Sequence, residues 1–491
     1  MLELPLFAIA RHCAGKIVAG APELRVNGVS TDTRTLRGGN LFVALNGERF
    51  RGLEFAPAAF AAGAAAAVVE GATEAVRVLA RGLPVDFGLI HVADARRALG
   101  NLARWHRLRF PALCVGVTGS VGKSTTKEMI AHILQTRMRI HATRGNLNNE
   151  VGLPLTLLTA DSLHEAIVVE MGMNAPGEIA RLAALAIPHI AVITCAAAVH
   201  LERMGTLEAI AAEKGAILDH QANRPVAVLN RDDPFFDDWR ARAKGRVISF
   251  GTAPGSDVRI SGLDDPAAAD LRLSQRTRQA GRMGTWLRLG GLDPIRLPVP
   301  GRHNAFNAAA AAAAAVAAGI PLSEAARALE SFRNLQSRLQ SLPLPGGGFV
   351  IDDAYNASPV SFAAALDTFR SLCPLGAPRR IVVAGDMLEL GPGAEQFHFD
   401  LGRQIAAIDP DALLCVGTLA PVALAGARAH GWQPRGTLSA CLPDVDAAAA
   451  HVAAQGLFPG DCILVKGSHG VHLDRLVAAI RGQGDQLRAA G

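Results

Sequence analysis

The sequence predicts an α/β protein built on mostly parallel sheets, and three observations support this fold class. Short apolar runs of strand length alternate with helical stretches along most of the chain. A glycine-rich loop that carries a lysine separates one such run from a helix. Half of the residues are hydrophobic, and glycine and alanine are abundant, which suits tight packing of helices on sheets. At 491 residues the chain is too long for one ordinary domain, and we expect three.

The first predicted domain covers residues 1–94 and alternates short strands with helices. Apolar runs predict strands at 26–31, 41–45 and 67–69, and an alanine-rich run predicts a helix at 56–67.

The second predicted domain covers residues 95–333 and begins with a helix at 95–109, in which apolar side chains recur every third residue. Residues 255–300 are rich in Gly, Asp and Pro and predict an antiparallel insertion. The alanine tract 308–315 predicts a tightly packed helix, because it is too short and too weakly apolar to cross a membrane. Buried strands are predicted at 113–117, 167–171, 190–194, 226–230 and 247–250.

A boundary is predicted at Pro321 and the polar stretch 333–341, and the third predicted domain covers residues 334–491. It reads as a second α/β unit with helices between its strands. These strands are predicted at 349–352, 380–384, 412–416 and 462–465.

Residues 116–125 form a predicted phosphate-binding loop after the strand at 113–117. Backbone N–H groups of such a loop surround phosphate oxygens, Lys123 can reach the outer phosphates, and the Ser124 hydroxyl can hold Mg²⁺. The following helix, from about Lys123 to Gln135, directs its positive end at the same anion. The glycines fall at 116, 119 and 122, which departs from the usual spacing and indicates a nucleoside triphosphate enzyme other than an ordinary kinase or GTPase.

Further polar residues stand where predicted strands end or helices begin. Glu170 ends a strand 47 residues after Lys123 and is a candidate Mg²⁺ ligand, although it could also face water. His200 follows the strand at 190–194, at the edge where ligands of parallel sheets gather. Lys214 lies on a predicted helix and, by itself, reads as a solvated lysine. Residues 301–307 open the alanine helix, and their Asn and His side chains could simply cap it.

Composition limits the function classes. The net charge of +5 comes without a Lys/Arg block interleaved with aromatics, which argues against a nucleic-acid partner. The seven cysteines show no C-x-x-C spacing, which indicates a reducing compartment. The amino terminus has no basic leader before its apolar stretch. We therefore expect a cytoplasmic protein without membrane insertion.

The order of these motifs resembles the ATP-dependent Mur ligases of peptidoglycan synthesis over nearly the whole chain. The matching stretches are Thr-Gly-Ser-Val-Gly-Lys-Ser-Thr at 118–125, Gly-Asn-Leu-Asn-Asn at 145–149, Glu170, Ala-Val-His200, Lys214, Asn-Arg-Asp-Asp at 230–233 and Gly-Arg-His-Asn-Ala-Phe-Asn at 301–307. Four stretches favour the members that add D-alanyl-D-alanine to UDP-N-acetylmuramoyl-tripeptide, at 145–149, 170–174, 352–357 and 385–391. Residues 30–34 and 39–45 resemble the UDP-sugar-binding segment.

The resemblance implies a three-domain architecture with a UDP-sugar-binding domain, a central P-loop ATPase domain and a Rossmann-like carboxy-terminal domain that binds the incoming D-Ala-D-Ala. It implies an amide ligase in which ATP phosphorylates the carboxylate of the UDP-linked tripeptide and the amine attacks the acyl phosphate. Implied cofactors are ATP and two Mg²⁺ ions, with a CO₂-derived carbamate on Lys214. The last domain would close to complete the site, and the enzyme would act as a monomer.

The resemblance also assigns roles to individual residues. The implied catalytic residues are Lys123, Glu170, His200 and Lys214, and the implied metal ligands are Ser124, Glu170, His200 and carbamylated Lys214. The implied nucleotide-binding residues are Gly119, Ser120, Val121, Gly122, Lys123, Ser124, Thr125, Asn304, Asn307, Arg338 and Asp353, and the pair Asp232 and Asp233 resembles further nucleotide contacts. The implied substrate-binding residues are Ser30, Thr31, Asp32, Thr33, Arg34, Asn146, Asn148, Asn149, Tyr355 and Asn356.

The chain departs from the family pattern at four places. Ser337 replaces a glycine, Ser358 replaces the Asn of an Asn-Pro pair, and His469 replaces the Arg of a Lys-Gly-Ser-Arg pattern. These three concern amine binding and closure. Residues 51–53 replace an Asp-Gly-His at the UDP-sugar end.

Three alternatives remain open at this point. Two are relatives of the same superfamily, a folylpolyglutamate synthase and the ligase that adds the third amino acid. The third is a regulatory P-loop ATPase. The tripeptide's third residue, diaminopimelate or lysine, is equally open.

Overall fold

The computed structural model describes residues 3–263, 284–333, 337–344, 347–373 and 377–489, with backbone only for 483–489. The strands form four sheets, of two, five, six and nine strands. In the two largest sheets most neighbouring strands are parallel. The predicted α/β class is confirmed.

The amino-terminal region holds the two smaller sheets. Strands β4, β5, β6 and β7 are parallel neighbours, β2 pairs antiparallel with β7, and β1 pairs with β3 in the two-stranded sheet. The strands are β1 (Glu3–Pro5), β2 (Lys16–Ala19), β3 (Arg25–Asn27), β4 (Val29–Ser30), β5 (Leu41–Ala44), β6 (Ala66–Glu70) and β7 (Gly88–Val92). The helices are α1 (Leu6–His12), α2 (Ala56–Ala61) and α3 (Thr73–Gly82).

Two predicted elements of this region differ from the structure. The strand predicted at 26–31 is divided at Gly28, which has a φ of 72°, so that its two halves join different sheets. The helix predicted at 56–67 ends at Ala61, because Gly63 has a φ of 89° and the chain turns into β6.

The central region is built on the nine-stranded sheet, whose order is β16-β15-β14-β13-β12-β11-β8-β10-β9. Its strands are β8 (Leu113–Thr118), β9 (Ile140–Ala142), β10 (Ala166–Glu170), β11 (Ile190–Ile193), β12 (Val226–Asn230), β13 (Arg246–Gly251), β14 (Val258–Ser261), β15 (Thr285–Leu289) and β16 (Ile295–Leu297). Its helices are α4 (Ala95–Arg107), α5 (Lys123–Leu134), α6 (Gly152–Thr159), α7 (Glu178–Ala186), α8 (Leu201–Met204), α9 (Leu207–Gly215), α10 (Phe236–Arg242), α11 (Arg302–Ala317) and α12 (Leu322–Leu329).

The predicted antiparallel insertion at 255–300 is correct only in part. Strand β14 pairs parallel with β13, and antiparallel pairing begins with β15 and β16. The described part of this segment therefore extends the central sheet, and residues 264–283 lie outside the described residues.

Helix α11 contains the alanine tract and is packed on both the sheet and α5. Alanines 308–315 are fully buried, because a side chain of one methyl group lets neighbouring backbones approach closely. The described residues include no helix with the length and apolarity needed to cross a membrane.

Pro321 is not a boundary, contrary to the prediction. Helix α12 starts directly after it and contributes Ala325, Ala326 and Leu329 to the same core as α11. The change of sheet comes later, between α12 and the strand that begins at Gln340.

The last region has a six-stranded sheet of order β17-β18-β22-β19-β20-β21, in which β17 alone among these strands runs antiparallel. Its strands are β17 (Gln340–Pro343), β18 (Phe349–Asp353), β19 (Arg380–Gly385), β20 (Ala412–Val416), β21 (Ala440–Leu442) and β22 (Cys462–Lys466). Its helices are α13 (Pro359–Leu372), α14 (Ala394–Ile408), α15 (Ala420–Ala429), α16 (Val445–Gln455) and α17 (Leu473–Ala489). The four predicted strands are confirmed to within one residue at each end.

Candidate active site

A cavity of about 1020 Å³ lies between the carboxyl ends of the central parallel strands and the last region. It lies where ligands of open α/β sheets bind, and it is lined by seventeen of the residues to which the resemblance assigns a catalytic or binding role. These are Ser120, Val121, Gly122, Lys123, Ser124, Thr125, Asn146, Asn148, Asn149, Glu170, His200, Asn304, Asn307, Arg338, Asp353, Tyr355 and Asn356.

The phosphate loop joins β8 to α5. Gly122 takes a φ of 83° as the first residue before α5, and a Cβ there would collide with Asn307 Oδ1. The Lys123 ammonium donates to the carbonyl oxygens of Gly119 (2.8 Å) and Ser120 (3.3 Å), which holds it over the loop. Burial lowers the pKa of Lys123. The carbonyl oxygens of the loop thus hold the Lys123 ammonium in place, and a bound phosphate would replace them as its partners.

Glu170 ends β10 beside this loop and is almost fully buried, at 2% exposure. Its Oε1 accepts a hydrogen bond from Asn148 Nδ2 at 2.7 Å, while its Oε2 has no hydrogen-bond partner among the described residues. A buried carboxylate oxygen without a partner is costly, and a bound cation would satisfy it.

The residues present fit Mg²⁺ in the way that phosphate-loop enzymes hold it. No cluster of three or more His, Cys, Asp or Glu suited to a metal occurs in the described part of the chain. A phosphate-loop site needs no such cluster, because one hydroxyl, one carboxylate and the nucleotide's own phosphates supply the oxygens. Ser124 and Glu170 are that hydroxyl and that carboxylate.

The three asparagines of the 145–149 stretch line the cavity but differ in role. Asn148 orients Glu170. Asn149 Oδ1 accepts from the backbone N–H groups of Val151 and Gly152 and so caps the start of α6. Asn146 lines the cavity.

Helix α11 starts against the phosphate loop through its two asparagines. Asn307 Nδ2 donates to Asn304 Oδ1 at 3.0 Å, and Asn307 Oδ1 accepts from Thr126 Oγ1 at 3.3 Å. His303 also lines the cavity, although the sequence suggested only a helix cap. Burial, and then the charge of Lys466, lower the pKa of His303 to about 4, so its imidazole is neutral at pH 7.

The last region reaches the phosphate loop through Arg338. Its Nη2 donates to Ser124 Oγ at 3.1 Å, and its guanidinium lies 3.8 Å from the centre of the Tyr355 ring. Asp353 is paired with Lys466 at 2.6 Å, and Lys466 also donates to the Asn356 carbonyl at 2.8 Å. Burial raises the pKa of Asp353 and the Lys466 charge opposes this rise. No local sequence pattern marks the pairing of Lys466 with Asp353, because 113 residues separate the two.

The structure explains one family departure and places two others. Ser337 has a φ of 54°, a conformation that favours glycine, and its hydroxyl donates to Asp352 Oδ2 at 2.9 Å. Ser358 caps α13 by accepting from Ser361 N. His469 lines the cavity, edge-on to the Tyr355 ring at 6.0 Å.

Lys214 lies at the end of α9, with 1% exposure, and does not line the cavity. Burial first, and the charge of Lys123 second, lower the pKa of Lys214 to about 7. The interpretation of Lys214, taken by itself, as a solvated lysine is therefore excluded by its burial.

His200 has a φ of 54° directly before α8. Its Nδ1 lies 2.6 Å from Glu389 Oε2 of the last region, and this hydrogen bond lowers the pKa of Glu389.

The structure does not bring all of the predicted residues to the cavity. Asp233 accepts from the backbone N–H groups of Ala196 and Phe235, and Asp232 accepts from those of Thr252 and Ala253. Both carboxylates therefore secure turns.

Gly119 belongs to the phosphate loop but does not line the cavity. The amino-terminal stretch also does not line it; its residues are Ser30, Thr31, Asp32, Thr33 and Arg34. Arg34 pairs with Asp32 at 2.7 Å. The stretch lies at the carboxyl end of β4, and parallel pairing places the end of β7 at the same edge of the sheet. Helix α4 follows β7, and its Arg96 lines the cavity.

Comparison with known proteins decides the family. The description "Mur ligase middle domain" matches residues 117–315, "Mur ligase, glutamate ligase domain" matches 337–469, and "Mur ligase family, catalytic domain" matches 25–107. The chain belongs to the Mur ligase family. As a Mur ligase it is an ATP-dependent ligase, and the predicted resemblance is confirmed.

Relatives of this Mur ligase cover nearly its full length. The UDP-N-acetylmuramoyl-tripeptide–D-alanyl-D-alanine ligase of Bacillus subtilis is 35% identical over 454 residues, 92% of each chain. The enzyme of the same name from Escherichia coli is 35% identical over 80% of this chain and 82% of its own. The crystal structure of MurF from Acinetobacter baumannii is similar with a TM-score of 0.83 at 29% identity, covering 98% of this chain and 99% of that one. MurF from Thermotoga maritima in complex with ADP has a TM-score of 0.76 at 25% identity, covering 94% and 98%.

Proposed function

We propose that this Mur ligase joins D-alanyl-D-alanine to UDP-N-acetylmuramoyl-tripeptide, forming ADP and phosphate, in cytoplasmic peptidoglycan precursor synthesis. Relatives that carry this name cover 80–92% of the chain at 35% identity. The observation that carries the proposal is the composite cavity. One wall is a phosphate loop beside a buried carboxylate oxygen that has no hydrogen-bond partner in the described part of the chain, and the opposite wall belongs to the last region.

The reaction requires a carboxylate oxygen of the tripeptide to attack the γ-phosphorus of ATP, with ADP as the leaving group. The dipeptide's amine then attacks the acyl carbon, phosphate leaves, and the amine gives up a proton. Negative charge accumulates around the transferring phosphoryl group, so catalysis depends on cations placed there in advance. Lys123 and Arg338 provide two from opposite walls, and both line the cavity.

Ser124 and Glu170 would hold one Mg²⁺ and His200 a second. The ions would neutralise phosphate charge. Nucleotide contacts would come from residues 119–125, Asn304, Asn307, Arg338 and Asp353.

The three regions would divide the substrates. Residues 1–94, with the 30–34 stretch, would bind the UDP-sugar, and residues 95–333 would bind ATP. Residues 334–491 would bind the incoming D-Ala-D-Ala, with Tyr355 and Asn356 at the cavity. Asn146, Asn148 and Asn149 would face the tripeptide, and the enzyme would act as a monomer.

Lys214 would act as a carbamate. With a pKa of about 7, about half of its amine is neutral at neutral pH, and only the neutral amine reacts with CO₂. The nitrogen forms a bond to the CO₂ carbon and releases a proton, which leaves an anion in place of a cation. That change removes the repulsion between Lys214 and Lys123, whose charge is one cause of the lowered pKa.

The composite site predicts how ATP turnover depends on the co-substrates. We expect phosphate release to be fast only when UDP-tripeptide and D-Ala-D-Ala are both present. A regulatory ATPase would hydrolyse ATP without either, and that result would contradict the proposal. Turnover with UDP-tripeptides ending in diaminopimelate or in lysine would then show which third residue is used.

A further inference from the structure

The central and last regions meet at a contact for which the proposed reaction gives no role. On one side is the start of α8, and on the other is the loop of residues 386–391 that follows β19. His200 Nδ1 and Glu389 Oε2 lie 2.6 Å apart, and 189 residues separate them in the chain. Both residues have left-handed backbone, with φ of 54° and 63°, which non-glycine residues seldom adopt. Strained backbone on both sides of one contact is typical of a functional site.

The loop also touches α8 through its backbone. Gly391 has a φ of 66°, and a Cβ built on it would lie 3.1 Å from Glu202 Cα and 3.4 Å from Glu202 Cβ. These distances are shorter than an ordinary van der Waals contact. Glu202 Cα is a backbone atom, so it cannot move aside as a flexible side chain can. A Cβ at this position would therefore crowd the backbone of α8 by a few tenths of an ångström, and the left-handed φ itself favours glycine.

The loop is firmly attached to its own region at its base. The Asp386 carboxylate accepts from the backbone N–H groups of residues 418–420, and Leu388 N donates to Ser468 Oγ at 3.0 Å. Both oxygens of Asp386 are thus engaged in structure. Glu389, whose side chain is 56% exposed, is the member of the loop that projects across to the central region.

We propose that Glu389 is a positioning residue that docks the last region on α8 and orients the His200 imidazole. A histidine whose Nδ1 is bound to a carboxylate has a fixed ring orientation and tautomer, and its Nε2 is left for a ligand. Because the carboxylate comes from another region, His200 is held in this way only when the two regions are in contact. The docking of the last region on α8 does not depend on which reaction the enzyme catalyses. The effect of Glu389 on the reaction rate, in contrast, rests on the proposed function.

Small-angle scattering tests the docking without reference to activity. Glu389→Ala removes the acceptor, Glu389→Gln keeps an oxygen that accepts from Nδ1–H, and Gly391→Ala obstructs the backbone approach. Matched controls are Glu395→Ala, an exposed glutamate of α14, and Gly393→Ala. Gly393 has a φ of −83°, which suits alanine, and its added Cβ would meet only the side chain of Phe397, at 3.2 Å, and no backbone of α8.

Each variant is measured alone and with a non-hydrolysable ATP analogue plus UDP-tripeptide, after circular dichroism has confirmed folding. We expect a larger radius of gyration for Glu389→Ala and Gly391→Ala than for wild type in at least one condition. Glu389→Gln and both controls should match wild type. Scattering that is identical for all variants in both conditions would overturn the docking.

Kinetics test the positioning role. Glu389→Ala should lower kcat roughly three- to thirtyfold, since one partly exposed charged hydrogen bond is lost, with KM for UDP-tripeptide nearly unchanged. Glu389→Gln should recover most of that loss. An unchanged kcat in Glu389→Ala would overturn the orientation of His200. A wild-type enzyme that forms no ligation product would instead refute the proposed function, and scattering would still decide the docking.

Discussion

Replacement of Glu170 by glutamine separates a metal-holding carboxylate from a structural one. Glu170 is 2% exposed, its Oε1 is bound to Asn148, and its Oε2 has no hydrogen-bond partner within the residues that the structure describes. In Glu170→Gln the amide oxygen can keep the bond to Asn148, so the change removes a charge and little else. Loss of a partly unsatisfied buried charge favours folding, whereas Lys123 loses a favourable electrostatic neighbour. We expect these effects to oppose each other, leaving the apparent stability without Mg²⁺ within about 1 kcal/mol of wild type.

Activity should respond very differently from stability. Loss of one preorganised electrostatic contact at a transferring group costs about 10²–10³-fold, or about 2.7–4 kcal/mol in activation free energy. The assay is coupled ADP release over a Mg²⁺ titration, with thermal unfolding measured alongside.

The matched control is Glu178→Gln. Glu178 lines the same cavity, but its Oε2 accepts from the backbone N–H of Asn174, a bond that an amide oxygen can retain. We expect the control to stay within about tenfold of wild type, or 1.4 kcal/mol. A folded Glu170→Gln enzyme with activity within the same tenfold range would refute the assignment of Glu170 to Mg²⁺.

The site leads to four further predictions. Lys123→Ala should lower ligase activity by at least about 10²-fold with an unchanged circular dichroism spectrum, and an active, folded variant would exclude the loop lysine from the mechanism. Lys214→Ala should be inactive and partly rescued by short carboxylic acids, whereas activity within tenfold of wild type would exclude an essential anion. The pKa of Lys214 is lowered from 10.5 to about 7, so between these pH values the folded state binds fewer protons than the unfolded state. The free energy of unfolding of wild type relative to Lys214→Met should therefore rise from pH 7 to pH 10. Thermal unfolding without CO₂ measures this difference. Ser337→Ala keeps the strained φ and loses the hydrogen bond to Asp352, so it should destabilise the fold by about 1 kcal/mol. Ser337→Gly loses the same hydrogen bond but relieves the strain, so its stability should stay near that of wild type. Equal unfolding midpoints for the two variants would contradict this expectation.

Local patterns predicted the fold class and the strand positions well. The buried strand at 412–416 and the strand at 226–230 were predicted to the residue, because a short apolar run between turn signals has few other interpretations. Pro321 was misjudged because a proline at a helix start resembles a linker in sequence, and only packing on α11 shows otherwise.

The site was predicted where one segment carries its own chemistry and missed where distant segments combine. Lys123 and Ser124 stand in a recognisable loop, and both line the cavity. The pairs Lys466–Asp353 and His200–Glu389 join residues 113 and 189 positions apart, and no local pattern marks either pair. The lowered pKa of Lys214 likewise depends on burial, which a short helical stretch does not reveal.

A competition assay shows which amine this Mur ligase accepts. Wild-type enzyme is given ATP, Mg²⁺ and UDP-N-acetylmuramoyl-tripeptide together with equal concentrations of D-Ala-D-Ala, meso-diaminopimelate, L-Lys and D-Glu. Mass spectrometry then identifies the amide products. We expect a product formed almost entirely from D-Ala-D-Ala. A product formed mainly from any of the other three amines would contradict the proposed function while leaving membership of the family intact.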